Sequence, residues 1–119
     1  MKSQYTITKE NVTANRALLR LQKIQLYISQ NLSANLHAAN VASQFNMSIS
    51  SLLHLFSKHP QGSYHRYIES VRIEKAMELL QTKNITVKEV MYATGYKNRT
   101  TFSNAFKKKF KHAAGHFKN

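Results

Sequence analysis

Leu21, Ile24, Tyr27 and Ile28 recur at i, i+3, i+6 and i+7, so they share one stripe of a helix predicted from about Ala14 to Gln30. Arg16, Arg20 and Lys23 occupy its other face. Residues 1–14 are polar without a clear period and read as an arm. Beyond the polar stretch 31–35, Ala38, Val41, Ala42 and Phe45 predict a short helix. Asn46 stops it, because Asn tolerates the left-handed conformation found at helix C-termini. Ser48 can then accept a hydrogen bond from the free N–H groups of a following helix that carries Leu52, Leu55 and Phe56. Helix, tight turn and second helix make a helix-turn-helix pattern. Its weak point is His37, which stands where a capping Ser or Thr is expected.

His59-Pro60-Gln61-Gly62 ends the second helix of that unit, since Pro cannot continue it and Gly relieves the turn. A longer helix is predicted from Ser63 to about Gln81. Tyr67, Val71, Ala76, Leu79 and Leu80 form its apolar face; Glu69, Arg72, Glu74, Lys75 and Glu78 form its wet one. The pattern then repeats. Thr86-Val87-Lys88-Glu89 reads as a capping box, Val90, Met91 and Ala93 continue the helix, and Gly95 stops it. Asn98 caps the next helix, with Phe102 and Phe106 inward. Leu52, Phe56 and Lys58 thus return as Phe102, Phe106 and Lys108, a shift of fifty residues with one residue inserted in the second turn. The chain reads as all-α: an arm at 1–14, a helix-turn-helix subdomain at 15–62, a linker helix at 63–81 and a second helix-turn-helix subdomain at 82–119. A linker of ~18 residues is about 27 Å long, which separates the two units by nearly one DNA turn, ~34 Å.

The 119 residues carry 18 Lys+Arg against 5 acids, a net charge of +13, and every acid is a glutamate. With 42% hydrophobic residues the chain can fill a core, so the charge sits on a folded domain whose natural counterpart is a polyanion. Cysteine is absent, which excludes disulfides, thiolate metal sites and Cys nucleophiles and suits a reducing cytoplasm. No apolar run reaches signal-peptide or membrane-span length. With no Asp, no acid pair in a Gly-rich loop and no phosphate-cradling motif, neither an enzyme nor a cofactor is expected. His112 and His116 lie at i, i+4, but no Glu or Cys accompanies them, so they read as a surface pair and no metal is expected. The aromatic residues Phe56, Tyr64, Tyr67, Phe102, Phe106, Phe110 and Phe117 fall at helical spacing and read as core.

Three ordered motifs carry a family resemblance. They are Arg72-Ile73-Glu74-Lys75-Ala76-Met77-Glu78-Leu79-Leu80, then Ile85-Thr86-Val87-Lys88-Glu89-Val90, then Gly95-Tyr96 followed by Thr101-Phe102-Ser103-Asn104-Ala105-Phe106-Lys107-Lys108-Lys109-Phe110. Together they resemble the signature of the AraC/XylS family of bacterial transcription regulators, across about residues 20 to 118. The resemblance implies a seven-helix DNA-binding domain acting mostly as an activator. It places base reading on Ser50, Leu53 and His54 in the first unit and on Arg99, Thr100, Ser103 and Asn104 in the second. The second set is chemically the better equipped, since Arg pairs bidentately with guanine and Asn with adenine. Phosphate contacts are expected from Ser48 and Lys58 in the first unit. In the second they are expected from Lys97, Lys107, Lys108, Lys109 and Lys111, in a segment with no acid after Glu89. The chain departs from the family pattern at Lys111, usually Gly, at Ala114, usually Pro, at Lys118, usually Arg, and at Met91, usually a small Ala.

The expected function is therefore a sequence-specific regulator of transcription. It would bind double-stranded DNA as a monomer on a non-palindromic site and touch RNA polymerase. The alternative is a nucleoid-type protein that binds nucleic acid by charge alone. A cationic membrane-active protein fits less well, because the basic residues mark helix-turn-helix faces and not one long stripe. Most members of the family carry an effector or dimerisation domain as well. Met1 with its short polar lead favours a stand-alone member.

Overall fold

The computed structural model describes residues 9–118 apart from His59 and Gln61. Among the described residues six α-helices follow one another: α1 (Lys9–Gln30), α2 (Ala38–Gln44), α3 (Ile49–Ser57), α4 (Tyr64–Thr82), α5 (Val87–Ala93) and α6 (Arg99–Phe110). A 3-10 turn at Ala114–Phe117 closes the chain, and no strand occurs among the described residues. The all-α reading and the order of elements hold. One boundary moves, because α1 begins at Lys9 and takes up the second half of the predicted arm. Residues 1–8 of that arm, and two residues of the His59–Gly62 breaker, lie outside the described residues.

Local chemistry explains the boundaries. Ser48, Ser63, Thr86 and Asn98 cap α3, α4, α5 and α6, their side-chain oxygens accepting from the backbone N–H three residues on. At α5 the box is reciprocal, with the Thr86 N–H donating to the Glu89 carboxylate at 2.8 Å, and this holds the Glu89 carboxyl below its ordinary pKa. His37 precedes α2 without a side-chain cap. The two turns are copies: Met47 N–H donates to Ala42 O and Tyr96 N–H to Met91 O, each at 3.0 Å. Asn46 and Gly95 supply the positive φ, at 55° and 93°. Register is kept through Met47 and Tyr96; then Ser48 caps at once in the first unit, whereas Lys97 intervenes before Asn98 in the second. Lys97 is the inserted residue.

The apolar side chains form two cores that meet along α4. Ile24, Ile28, Val41, Leu52 and Phe56 pack with Tyr64, Tyr67 and Ile68 from its first half. Val90, Met91, Phe102, Phe106 and Ala114 pack with Ile73, Ala76 and Leu80 from its second. Each fully buried aliphatic or aromatic side chain contributes roughly 1.5–3 kcal/mol, so α4 is a wall of both cores and not a spacer between finished domains. The molecule is elongated accordingly, at 56 × 37 × 21 Å.

Arg72 corrects the sequence reading. Assigned to the wet face of α4, it is half-buried, and its Nη2 donates to the Leu32 carbonyl oxygen at 3.2 Å. The guanidinium carbon stands 5.8 Å from the centre of the Tyr96 ring. Nε is buried with no hydrogen-bond partner among the described residues. Gly95 closes the cluster: a Cβ there would collide with that same Leu32 oxygen and come within 2.9 Å of Arg72 Nε. The loop after α1, the middle of α4 and the turn of the second unit therefore meet at one point. Burial lowers the Arg72 pKa, opposed by the charge that the phenol groups of Tyr96 and Tyr64 can carry.

Two expectations follow from this packing. Gly95→Ala, at φ 93° and against a backbone oxygen, should cost at least about 2 kcal/mol, whereas Gly115→Ala, with nothing near its Cβ, should be nearly neutral in the same urea melts. The second concerns Tyr64, whose hydroxyl donates to Leu36 O at 2.7 Å. Burial pushes its pKa up to about 12, with a smaller opposing pull from Arg72; burial does the same to Tyr96, also to about 12. A folded-state value above the ordinary 10 means that the associated stability is intact below that pH and drains away as pH rises toward 12. Tyr64→Phe should cost about 1–2 kcal/mol at neutral pH and flatten the loss of stability between pH 10 and about 12; equal alkaline slopes for mutant and wild type would count against this origin.

Candidate nucleic-acid interface

α3 and α6 have the same polarity pattern because they are the same element twice. On α3, Leu52 and Phe56 turn inward while Ser50, Leu53, His54 and Ser57 are exposed. On α6, Phe102, Ala105 and Phe106 turn inward while Thr100, Asn104 and Lys107 are exposed, Ser103 is half-exposed, and Arg99 is exposed in the first turn. The seven residues expected to read bases are thus brought onto the outer faces of two helices. None of them enters an ion pair among the described residues. The faces differ in chemistry. Leu53 and Ile49 leave 38% and 46% of their surface in water on α3, an apolar contribution suited to thymine methyl groups. α6 offers a guanidinium, a hydroxyl and an amide instead.

The residues expected at phosphates divide into two groups. Ser48, Lys58, Lys97, Lys107 and Lys111 are exposed at helix ends and turns. Lys108 stays largely in water and approaches Glu69 only at 3.9 Å. Lys109 is otherwise occupied: its Nζ lies 3.0 Å from a Glu74 carboxylate oxygen and 3.5 Å from Ser70 Oγ. That pins α6 onto α4 and removes Lys109 from the outer face. The reason is positional, since Lys109 is i+3 from Phe106 and i+7 from Phe102, on the inward stripe. Between the units, a cleft of about 600 Å³ runs past His37, His65, Glu69, Arg72, Lys97 and Asn98.

At the C-terminus the chain folds back on itself. Phe117 packs its ring 5.8 Å from that of Phe106 and 6.1 Å from that of Phe110. The imidazoles of His112 and His116 stack face to face at 4.4 Å and 15°, and no group of three or more potential metal ligands occurs among the described residues. No described helix is long and apolar enough to cross a membrane.

The sequence pattern that defines a helix-turn-helix domain matches residues 41–119, from within α2 to the C-terminus. A regulator from Chromobacterium violaceum described as having an AraC-type DNA-binding domain superposes with a TM-score of 0.76 at 18% identity, over 87% of this chain and 92% of that one. The chain belongs to the AraC-type helix-turn-helix family. The DNA-binding domain of AdpA, a global transcriptional factor solved in complex with a target DNA, has the same fold at a TM-score of 0.75 and 16% identity, over 82% of this chain and 87% of that one. In sequence, the chain is 34% identical over 88 residues to YfiF, an uncharacterised HTH-type transcriptional regulator of Bacillus subtilis, which covers 74% of this chain. It spans only 27–34% of the length of the curated relatives it matches first.

Within the AraC-type frame, the departures noted in the sequence acquire physical meaning. Met91 stands where the first unit has Ala42, at the position whose carbonyl receives the turn N–H, and it is buried in the second core. Ala114 begins the 3-10 turn and is buried too. Lys111 is the strained one. It ends α6 at φ 67°, a conformation that suits Gly and disfavours a residue with a Cβ by roughly 1–2 kcal/mol. Lys111→Gly should accordingly raise stability by about 0.5–1 kcal/mol in thermal or urea melts while weakening DNA binding through the lost charge. A mutant that is less stable than wild type would show that the Lys111 Nζ bond to Lys108 O, at 3.1 Å, outweighs the backbone strain.

Proposed function

We propose that this domain is a sequence-specific DNA-binding module of a transcription regulator, acting as an activator. In this reading it lays α3 and α6 into successive major grooves as a monomer and makes contact with RNA polymerase in the cytoplasm. The observation that carries the reading is the exposed polar face of α6, where Arg99, Thr100 and Asn104 enter no ion pair among the described residues and precede a run of cations. Membership of the AraC-type family and the likeness to a DNA-bound relative support it. So does the length of α4, about 28 Å for its 19 residues, which suits recognition helices about one helical turn of DNA apart. The exposed faces of α3 and α6 carry different residues, so the site should be an asymmetric pair of boxes. Specificity should reside mainly in the box under α6, because α3 offers only Ser50, Leu53 and His54.

Selection from a randomised duplex pool at near-physiological salt should return such a two-box site, bound at least a thousandfold more tightly than a scrambled duplex. On that site Arg99→Ala should cost about 1–3 kcal/mol and relax preference at one base position, whereas Lys107→Ala should weaken all sequences alike. If no motif is enriched, or if both mutants lose affinity uniformly, base reading by α6 is wrong.

A further inference from the structure

α1 is longer than the core requires. Residues 13–20 are exposed throughout, and packing against the first core starts only at Leu21 and Ile24. A helical extension that places no side chain in the core gains little on its own account. Its composition is one-sided. Between Glu10 and Glu69 the sequence contains no acid, and Arg16, Arg20 and Lys23 follow one another at i, i+4 and i+7 along one edge of the helix.

That edge borders α3. Arg16, Arg20 and Lys23 line the same open groove, of about 820 Å³, as Ser50, Ser51 and His54 of the first recognition helix. Aliphatic and aromatic side chains, among them Phe45 and Leu55, form its floor. None of the three cations enters an ion pair among the described residues. The groove is therefore a cationic wall standing beside a helix face expected to enter DNA, and continuous with it.

We propose that this groove holds the phosphodiester strand flanking the first box. α1 then acts as a third DNA-binding element, extending the contact outward beyond α3. The inference rests on the reading of α3 as a recognition helix. The dimensions are compatible: seven helical residues advance about 10.5 Å, about three steps of ~3.4 Å along the duplex axis, so the three cations are spread over a run of about four phosphates of one strand. The contact is to the backbone, so it adds affinity and fixes the approach of α3 without adding base preference.

The test compares the full chain with the combined variant Arg16→Gln, Arg20→Gln, Lys23→Gln, and with Arg16→Lys, Arg20→Lys as a charge-preserving control. All three side-chain positions are exposed, and equal melting profiles would establish that the variants are folded. Binding to the selected site and to a scrambled duplex is titrated across salt, and backbone protection is mapped by hydroxyl-radical cleavage. The expected result is a log-affinity against log-salt slope shallower by about 2–3 for the triple variant, unchanged for the Lys control. Base preference should stay the same, and protection should be lost only outside the first box. An unchanged slope, or no protection of that flank in wild type, overturns the proposal. So does a triple variant with intact DNA binding that fails to activate purified RNA polymerase, which would assign the groove to an acidic protein surface instead. If wild type shows no sequence preference at all, the base-reading function fails separately, and the slope on the scrambled duplex still decides the role of α1.

Discussion

The contact between Arg72, the Leu32 carbonyl and the Gly95 turn is the constraint on which the rest of the molecule depends. Two recognition helices are useful on a stiff duplex only when their separation and relative tilt are fixed. Local caps and turns cannot fix these, because each acts within its own unit. The guanidinium reaches from the middle of α4 to the loop after α1 and lies beside the Tyr96 ring of the second turn. Gly95 admits the Leu32 oxygen at a distance that any Cβ would forbid. A charged donor to a carbonyl is worth about 1.5–3 kcal/mol where it is shielded from water. Part of that offsets the burial of the cation, so the bond serves orientation more than stability.

Around this junction the molecule is organised by duplication. The same turn bonds occur in both units at equivalent positions, and the same cap position starts each recognition helix. The differences sit where function can use them. Lys97 adds a residue, and a charge, just ahead of α6. The outer face of α3 is partly apolar, that of α6 polar and cationic. Lys109 ties α6 to Glu74, a fastening that α3 does not share with α4 among the described ion pairs.

Much of this was legible in the sequence, and for a common reason. Stops at Asn46 and Gly95, caps at Ser48, Thr86 and Asn98, and the inward stripes of α3 and α6 are decided within a few residues. The exposed faces of α3 and α6 followed once those stripes were known. What was not legible depended on distant partners. Arg72 sits among the charged residues of α4 in sequence, yet it is drawn inward by a carbonyl forty residues away. The start of α1 at Lys9 has no apolar period to announce it. Lys109 is the exception, because its spacing from Phe102 and Phe106 already put it on the inward stripe. Its place in a basic run hid that signal.

The sharing of α4 by both cores sets the fate of incomplete chains. A fragment ending after α4 would leave Ile73, Ala76 and Leu80 without the side chains that cover them, and a fragment beginning there would do the same to Tyr64, Tyr67 and Ile68. Neither half is a self-sufficient folded unit. Each truncation would expose one side of a long helix to water, so the two helix-turn-helix units stand or unfold together.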